Sequence, residues 1–488
     1  MSSSRERMYR SVVKSTAIFG SVQLLSAIIS LVKNKFVAIL LGIEGVGIIS
    51  LLITSLQLVQ SITSFGIDKS GVREIAAQST SESQSRVVSS LRWSIIVVAI
   101  FGAITLLIMA PWMSQIMFNS REYTLPFRLL SIALLFDTLS KGNLAIFQGR
   151  RMLTQLARVS LIGSFAGLII SIPLFYLFGI DSIAASMVGS SFIFWLATLL
   201  FRQKEENTHL PLKDRLNDSK PLVKLGIAFT LSSTSVLLSS YIFSIYMTRQ
   251  ACVHEFGLYQ GGYNIVMRYV GMLFAAMATD YYPQLTTISN NIVSVNKLLN
   301  RQSEIALLIL LPIAILFILL VEPIIITLLS ADFLPIVPFT IWSLLGVVVK
   351  VLSWALGFVI LAKGLSRLFW VSELISALLF LAGNIVGYSY HGLEGIAISY
   401  VIVYIIYLLF LIIYMNRRYG VKINRTTTKI FLLVTAFVSS MIATTLLLDG
   451  VTRYIVSTPI VLLALAYSWR ELESRIAIRQ LIKNKLRR

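Results

Sequence analysis

Long apolar runs separated by short polar breaks dominate the chain from residue 15 onward. A helix that crosses a bilayer needs ~20 mainly apolar residues. Fourteen runs meet that requirement: 15–41, 43–66, 91–111, 124–148, 156–178, 182–201, 223–248, 257–281, 303–329, 334–362, 367–388, 393–415, 428–448 and 454–469. Two of them, 124–148 and 257–281, are interrupted by polar groups. The expected class is an all-α integral membrane protein with about 14 transmembrane helices. Between the second and third runs, the polar segment from Asp68 to Arg92 reads as a short helix along the membrane surface or a solvated linker.

Composition agrees with this pattern. Hydrophobic residues make up 56% of the 488, charged residues 13%, and mean hydropathy is +0.82. A soluble domain carries about 25% charged residues. The formal charge of +20 is explained by where the cations sit. With residue 1 placed inside, the outer loops hold only Arg121, Arg249 and Arg453, and the inner loops take most of the other basic residues. That asymmetry is the positive-inside pattern. It implies an even number of spans with both termini cytoplasmic, and no nucleic-acid footprint. Arg5, Arg7, Arg10 and Lys14 precede an apolar run too long for a cleaved signal peptide, so the first helix is expected to act as a signal anchor.

Several chemistries are unsupported. Cys252 is the single cysteine, which leaves no disulfide framework or thiolate metal site, and the three histidines lie far apart with no HExxH spacing. Gly42, Gly45 and Gly47 lack the lysine of a phosphate loop and read as a tight outer turn. Outer loops such as Gly42 to Gly45 and Ala331 to Leu334 leave no room for a catalytic domain. Neither an enzyme activity nor a metal or other cofactor is expected.

An internal repeat organises the chain. GIDSIAASMV (179–188) and GLEGIAISYV (392–401) share five of ten residues, with Asp181 over Glu394. The same offset sets 149–162 against 362–375, and GIEGVGIIS (42–50) is echoed by ACVHEFGLYQ (251–260), with Gly47 over Gly257. Three matches in one order point to two parallel six-helix lobes, as in transporters that bind substrate between rocking halves. The expected division is an N-terminal lobe over 1–201, a linker over 202–222, a C-terminal lobe over 223–416, two further helices within 427–470 and a basic tail over 471–488.

Charges at membrane depth carry the functional signal, because each costs at least ~2.5–3.5 kcal/mol on an insertion scale. Lys33, Lys35, Arg128, Lys141, Arg268 and Lys350 lie within apolar runs, against Asp137, Glu373 and Glu322. Lys33 and Lys35 either snorkel from a long first helix or face a cavity. Snorkelling suits Arg128, near an outer end, and Lys141 is evenly balanced between the two. Arg268 and Lys350 sit mid-span, where snorkelling fails and a cavity role is favoured. Asp137 either neutralises Lys141, one turn away, or, through the repeat offset, faces Lys350 across the lobe interface. Glu373 serves as a coupling carboxylate or as a helix-packing partner. The excess of cations favours an anionic substrate, and Tyr259, Gln260, Tyr263 and Asn264 could contact a sugar.

Several stretches resemble the polysaccharide flippases of the MOP (multidrug, oligosaccharidyl-lipid, polysaccharide) exporter superfamily. These are LLGIEGVGIIS (40–50), FGIDKSGVREIAAQ (65–78), GLYQGG (257–262) and LLSADFLPIVPFTIWSLLGVVVKVLSWALGFVILAKG (328–364). In the last, Trp342, Gly346, Lys350, Gly357 and Ala362-Lys363 are similar to positions of the Wzx-type branch. The resemblance implies two six-helix lobes in a V-shaped, MATE-like arrangement around a cationic cavity. It further implies flipping of undecaprenyl-diphosphate-linked oligosaccharides, for example O-antigen units, across a bacterial cytoplasmic (inner) membrane. Polymerase and ligase machinery and membrane lipids are the implied partners.

On this reading Lys33, Lys35, Lys141, Arg268 and Lys350 hold the diphosphate, Tyr259, Gln260 and Asn264 contact sugar, and Asp137 and Glu373 are coupling candidates. One departure stands out. Relatives carry an arginine in the second helix, whereas IISLLITSLQLVQ (48–60) is uncharged. The alternative function is a MATE-like multidrug or organic-cation antiporter, which needs intramembrane carboxylates. A membrane scaffold needs neither a duplicated lobe nor buried charge.

Overall fold

The computed structural model describes residues 2–78, 80–202 and 211–476. Fifteen α-helices run in order among these: α1 (Ser2–Thr63), α2 (Ile67–Ala77), α3 (Ser81–Phe118), α4 (Thr124–Gly149), α5 (Leu153–Phe178), α6 (Ile183–Leu200), α7 (Leu212–Gln250) and α8 (Val253–Tyr263). After a π turn over Asn264–Arg268 come α9 (Tyr269–Ile288), α10 (Ile292–Leu319), α11 (Val321–Leu328), α12 (Val337–Ala362), α13 (Ser366–Tyr419), α14 (Arg425–Leu447) and α15 (Gly450–Ile476). Nine helical stretches among the described residues are long and apolar enough to cross a membrane. Of the expected linker, 203–210 lie outside the described residues, as do 477–488 of the expected tail.

Fused helices explain why elements and apolar runs differ in number. α13 spans 54 residues, about 81 Å at 1.5 Å per residue, far beyond a ~30 Å hydrocarbon core. It is broken at His391 and Gly392, where Gly392 adopts φ 56° and ψ −137°. α1 breaks in the same way at Gly42, with φ 66° and ψ −165°. Residues with a Cβ are excluded from that region, so each glycine turns a fused helix into two runs. Elsewhere, side chains start the helices. Thr80 caps α3 by accepting from the Ser83 N–H at 3.3 Å, and Asn424 caps α14 by accepting from Thr427 N–H at 2.6 Å.

Contacts divide the chain into two units, Met1–Gly257 with Leu328–Ser330, and Leu258–Thr327 with Ala331–Arg488. This division places α7 with the first unit, because α7 packs on α1, α2 and α3, whereas the sequence repeat divides the chain at 202–222.

In the first unit α4 packs on α3, α2 and α6, and α5 packs on α1 and α6. A core of Ile67, Ile75, Val88, Leu91, Ile95, Val98, Ile146 and Leu222 joins α2, α3, α4 and α7. Glycines let the helices close. A Cβ at Gly142 would fall under 3.0 Å from Ile95, and one at Gly226 under 3.0 Å from the Phe65 carbonyl. Gly47 packs against Val253 and Gly257, so the two glycines superposed by the repeat touch one another. Close approach of small residues is how helices associate where lipid removes the hydrophobic drive.

In the second unit α12 is the central helix, with seventeen buried residues, packed by α13, α10, α14 and α9. α14 and α15 dock on α10 through polar ties. Asn300 donates to the Lys422 carbonyl at 2.9 Å and accepts from the Asn424 N–H at 2.8 Å. Glu304 accepts from Thr427 at 2.8 Å and from Arg475 at 2.9 Å. Arg453 corrects one sequence reading. Expected in an outer loop, it lies in the first turn of α15, 7% exposed, and pairs with Glu322 at 2.6 Å. Gly450 turns the chain straight into α15, which pulls Arg453 against α11 and the Ile318 carbonyl at 3.3 Å.

Candidate functional site

Each unit carries charged side chains among its helices, half-buried at Lys33, Asp137, Lys350 and Glu373 and exposed at Lys141. In the first unit the Lys33 ammonium reaches α5 and α6. A Cβ added at Gly167 would sit 3.6 Å from Lys33 Nζ and 3.9 Å from Ser190 Oγ. Gly167 is near the middle of α5, so the Lys33 ammonium lies beside the middle of that helix. Lys35, two residues on, is half-buried.

Lys141 of α4 donates to Gln60 Oε1 at 2.5 Å, and Gln60 Nε2 in turn donates to Thr138 Oγ1 at 3.0 Å. Thr138 lies one turn before Lys141, so α4 holds both ends of a relay that passes through α1. Gln60 is 3% exposed. Asp137 instead lies beside Ser191 of α6. The acid and the lysine one turn apart are therefore engaged by different helices. Arg128, expected near an outer end, is exposed one turn into α4.

The second cluster centres on Lys350, halfway along α12. Its ammonium lies beside the Tyr404 hydroxyl of α13 and 5.8 Å from the ring centroids of both Phe274 and Tyr404. Cation–π attraction of ~0.5–2 kcal/mol per ring partly offsets the loss of water around the ammonium. Tyr400 stacks edge-on against Tyr404, centroids 4.6 Å apart, and donates to Met267 Sδ at 3.0 Å. Gly346, one turn before Lys350, makes room for the Tyr400 ring. Glu373 of α13 is the carboxylate that acts electrostatically on Lys350, and Tyr263, 41% exposed, also lies in its field.

The remaining expected residues flank this cluster. Tyr259 is buried between Tyr263, centroids 5.7 Å apart, and Phe339, at 5.6 Å. Gln260 and Asn264 are half-buried at the end of α8 and in the π turn. Such turns re-aim side chains and recur at functional sites. Arg268 closes the π turn, and its side chain lies outside the described residues.

Sequence reasoning missed Gln60, Thr138 and Ser191 in the first cluster and Phe274, Tyr400 and Tyr404 in the second. The signals were faint. Gln60 closes the uncharged stretch 48–60, and Tyr400, Tyr404 and Tyr407 recur at helical spacing. Among the described residues no group of three His, Cys, Asp or Glu could hold a metal ion. Of the charges that lie within apolar runs, the described ones are Lys33, Lys35, Arg128, Lys141 and Lys350 against Asp137, Glu373 and Glu322.

Residues 36–338 match a family described as polysaccharide biosynthesis protein. No curated protein sequence matches the chain. Among solved structures, the lipid II flippase MurJ in an inward closed conformation superposes with a TM-score of 0.71 at 16% identity, covering 96% of this chain and 100% of that one. An inward-facing multidrug resistance MATE family transporter of the MOP superfamily gives 0.66 at 14% identity, covering 87% and 98%. A MOP superfamily transporter from Pyrococcus furiosus, described as having a binding pocket of reverse polarity, gives 0.55 at 15% identity, covering 88% and 94%. The fold is that of the MOP transporters.

Proposed function

The chain belongs to the polysaccharide biosynthesis protein family, and from that premise we propose that it flips undecaprenyl-diphosphate-linked oligosaccharide from the inner to the outer leaflet of the cytoplasmic membrane by alternating access. The observation that carries this reading is the lysine excess at depth, above all Lys350 held mid-helix by Tyr404 and Phe274. A diphosphate cannot cross hydrocarbon unpaired. Lysines on flexible stems keep hold of it while the protein changes shape, without the rigid fork of arginine. Lys33, Lys35 and Lys141 supply further cations, and Tyr263, Gln260 and Asn264 sugar contacts. Asp137 and Glu373 are the groups proposed to couple transport to an ion gradient.

The proposal includes fourteen spans in two six-helix lobes with α14 and α15 added, both termini in the cytoplasm, and delivery to polymerase and ligase machinery. Likeness to a multidrug transporter supports an organic-cation antiporter as the second reading. Such a protein places carboxylates where its cargo binds, and here the described lysines outnumber them. Mass spectrometry of polyprenyl-diphosphate lipids in cells lacking the protein separates the two. Accumulated oligosaccharide lipid with loss of surface polymer supports the flippase. Normal lipid intermediates with raised sensitivity to cationic drugs support the antiporter and refute the flippase.

A further inference from the structure

Two asparagines of α10 build the corner of the second unit where α13 passes the chain to α14. Asn296 donates to the Gly420 carbonyl at 3.1 Å and accepts from the Lys422 N–H at 2.9 Å. Asn300 makes the matching pair of bonds to Lys422 and Asn424. This clamp gathers cations. Arg417 and Arg418 lie in the last turn of α13, Lys422 in the clamped link, and Arg425 and Lys429 in the opening turns of α14. Lys297 and Arg301 follow the two asparagines on α10, and all seven side chains are exposed. Among the described residues none of the seven takes an ion pair, a side-chain hydrogen bond or a cation–π contact. Glu304, which bonds into α14 here, is taken by Thr427 and Arg475, and Glu471 by Arg475. Residues 477–488, outside the described residues, include no Asp or Glu.

Such a corner is unfavourable by itself. Arg425 and Lys429 are like charges one turn apart, at a helix N-terminus where the dipole favours acid, and no acid stands in the first turn of α14. The faces the cations share name their counterpart. Residues four apart lie on one side of a helix. Arg417 continues the ridge of Leu409 and Ile413, each 52% exposed, and Lys429 stands one turn before Leu432, 59% exposed. Two exposed apolar ridges, of the kind hydrocarbon wets, therefore end in cations. We propose that this corner binds anionic glycerophospholipids of the surrounding bilayer, their phosphates on Arg417, Lys422, Arg425 and Lys429 and their acyl chains along Ile413 and Leu432. Clusters of ~4–8 basic residues at the end of a membrane helix attract anionic head groups. A soluble anion would match the cations and leave the ridges beside them unused. Nothing in this inference depends on what the protein transports.

Fluorescence quenching of a single attached label tests it. Cys252→Ser removes the single native thiol. Leu432→Cys then carries a bimane label at the corner, and Ile108→Cys carries it on α3 of the first unit, at a position 62% exposed. Phosphatidylglycerol and phosphatidylcholine with brominated chains are compared as quenchers in proteoliposomes at ~0.15 M salt. At Leu432→Cys the expected result is at least twofold stronger quenching by the anionic lipid, with parity at Ile108→Cys. Adding Arg417→Gln, Arg425→Gln and Lys429→Gln brings Leu432→Cys to parity at an unchanged unfolding temperature. The comparison of the two labelled positions decides the matter even where the charge variant fails to fold. Equal quenching by both lipids at Leu432→Cys, the same preference at Ile108→Cys, or a preference unchanged by removing the charges overturns the proposal. Loss of the preference on adding inorganic phosphate at constant ionic strength marks a free-anion site and overturns it too. So does displacement by a trace of undecaprenyl phosphate, which marks a site for prenyl lipid.

Discussion

Gly346→Ala isolates the packing that holds Lys350 in place. A Cβ at Gly346 would sit under 3.0 Å from Tyr400 Cδ1 and Cε1. The Tyr400 ring has little room to retreat: Phe380 stands 5.4 Å away, Tyr404 4.6 Å, and its hydroxyl is tied to Met267. Overpacking of this kind costs ~1–3 kcal/mol. Against it, replacing glycine by alanine inside a helix gains ~0.5–1 kcal/mol. The clash outweighs the propensity, so the variant is expected to lose about 0.5–2 kcal/mol of stability and to fall in unfolding temperature. Displacing Tyr400 also moves Tyr404, whose ring lies 5.8 Å from the Lys350 ammonium, so transport is expected to fall further than protein level.

A double-mutant cycle decides the cause. With Tyr400→Ala as background, Gly346→Ala becomes neutral or stabilising, a coupling of ~1–3 kcal/mol. Thermal unfolding of the purified proteins measures stability, and surface polysaccharide measures transport. If Gly346→Ala stabilises both backgrounds equally, the ring does not press on Gly346 and the reasoning fails.

Gln60→Leu removes the acceptor of Lys141 and, because Lys141 is exposed, is expected to cost ~0.5–1.5 kcal/mol, the worth of a hydrogen bond. In a Lys141→Met background the same change is expected to cost less in the unfolding assay, and an equal cost contradicts the relay. Arg453→Ala frees the start of α15 from Glu322 and Ile318. Because the Glu322 side chain is 46% exposed, the loss is expected to be ~1–2 kcal/mol rather than the ~3–5 kcal/mol of a fully buried pair, visible as faster amide exchange confined to α15. Asn300→Ala cuts two of the four bonds that Asn296 and Asn300 make to the chain entering α14, those to the Lys422 carbonyl and the Asn424 N–H. Limited proteolysis is expected to nick residues 420–424 at least several times faster, at a stability cost of ~1–2 kcal/mol.

The helices were legible because the apolar runs are long and the bilayer requirement is simple. The runs meeting at Gly42, and those flanking His391 and Gly392, appear as continuous elements in which one glycine makes the break. The weak run at 257–281 is interrupted in the structure by the Asn264–Arg268 turn, the same polar patch that blurred its hydropathy. Lys33, Lys141 and Lys350 were legible because a charge in an apolar run is conspicuous. Their partners were not. Tyrosine reads as one more large ring, and nothing in sequence shows that Tyr404 of α13 meets Lys350 of α12. Gln60 and Lys141 lie 81 residues apart, so only the fold brings them together. Arg453 misled because a loop and a first helical turn look alike to a charge count.

The most direct test of the account uses proteoliposomes loaded with an undecaprenyl-diphosphate oligosaccharide labelled on its sugar, with sugar accessibility to an external lectin followed over time. The account predicts that the wild-type protein exposes the labelled sugar well above protein-free vesicles. It also predicts at least a tenfold slower rate in Lys350→Gln at equal protein content and unchanged unfolding temperature. Equal rates for wild type and Lys350→Gln, or no exposure by the wild type, would contradict it.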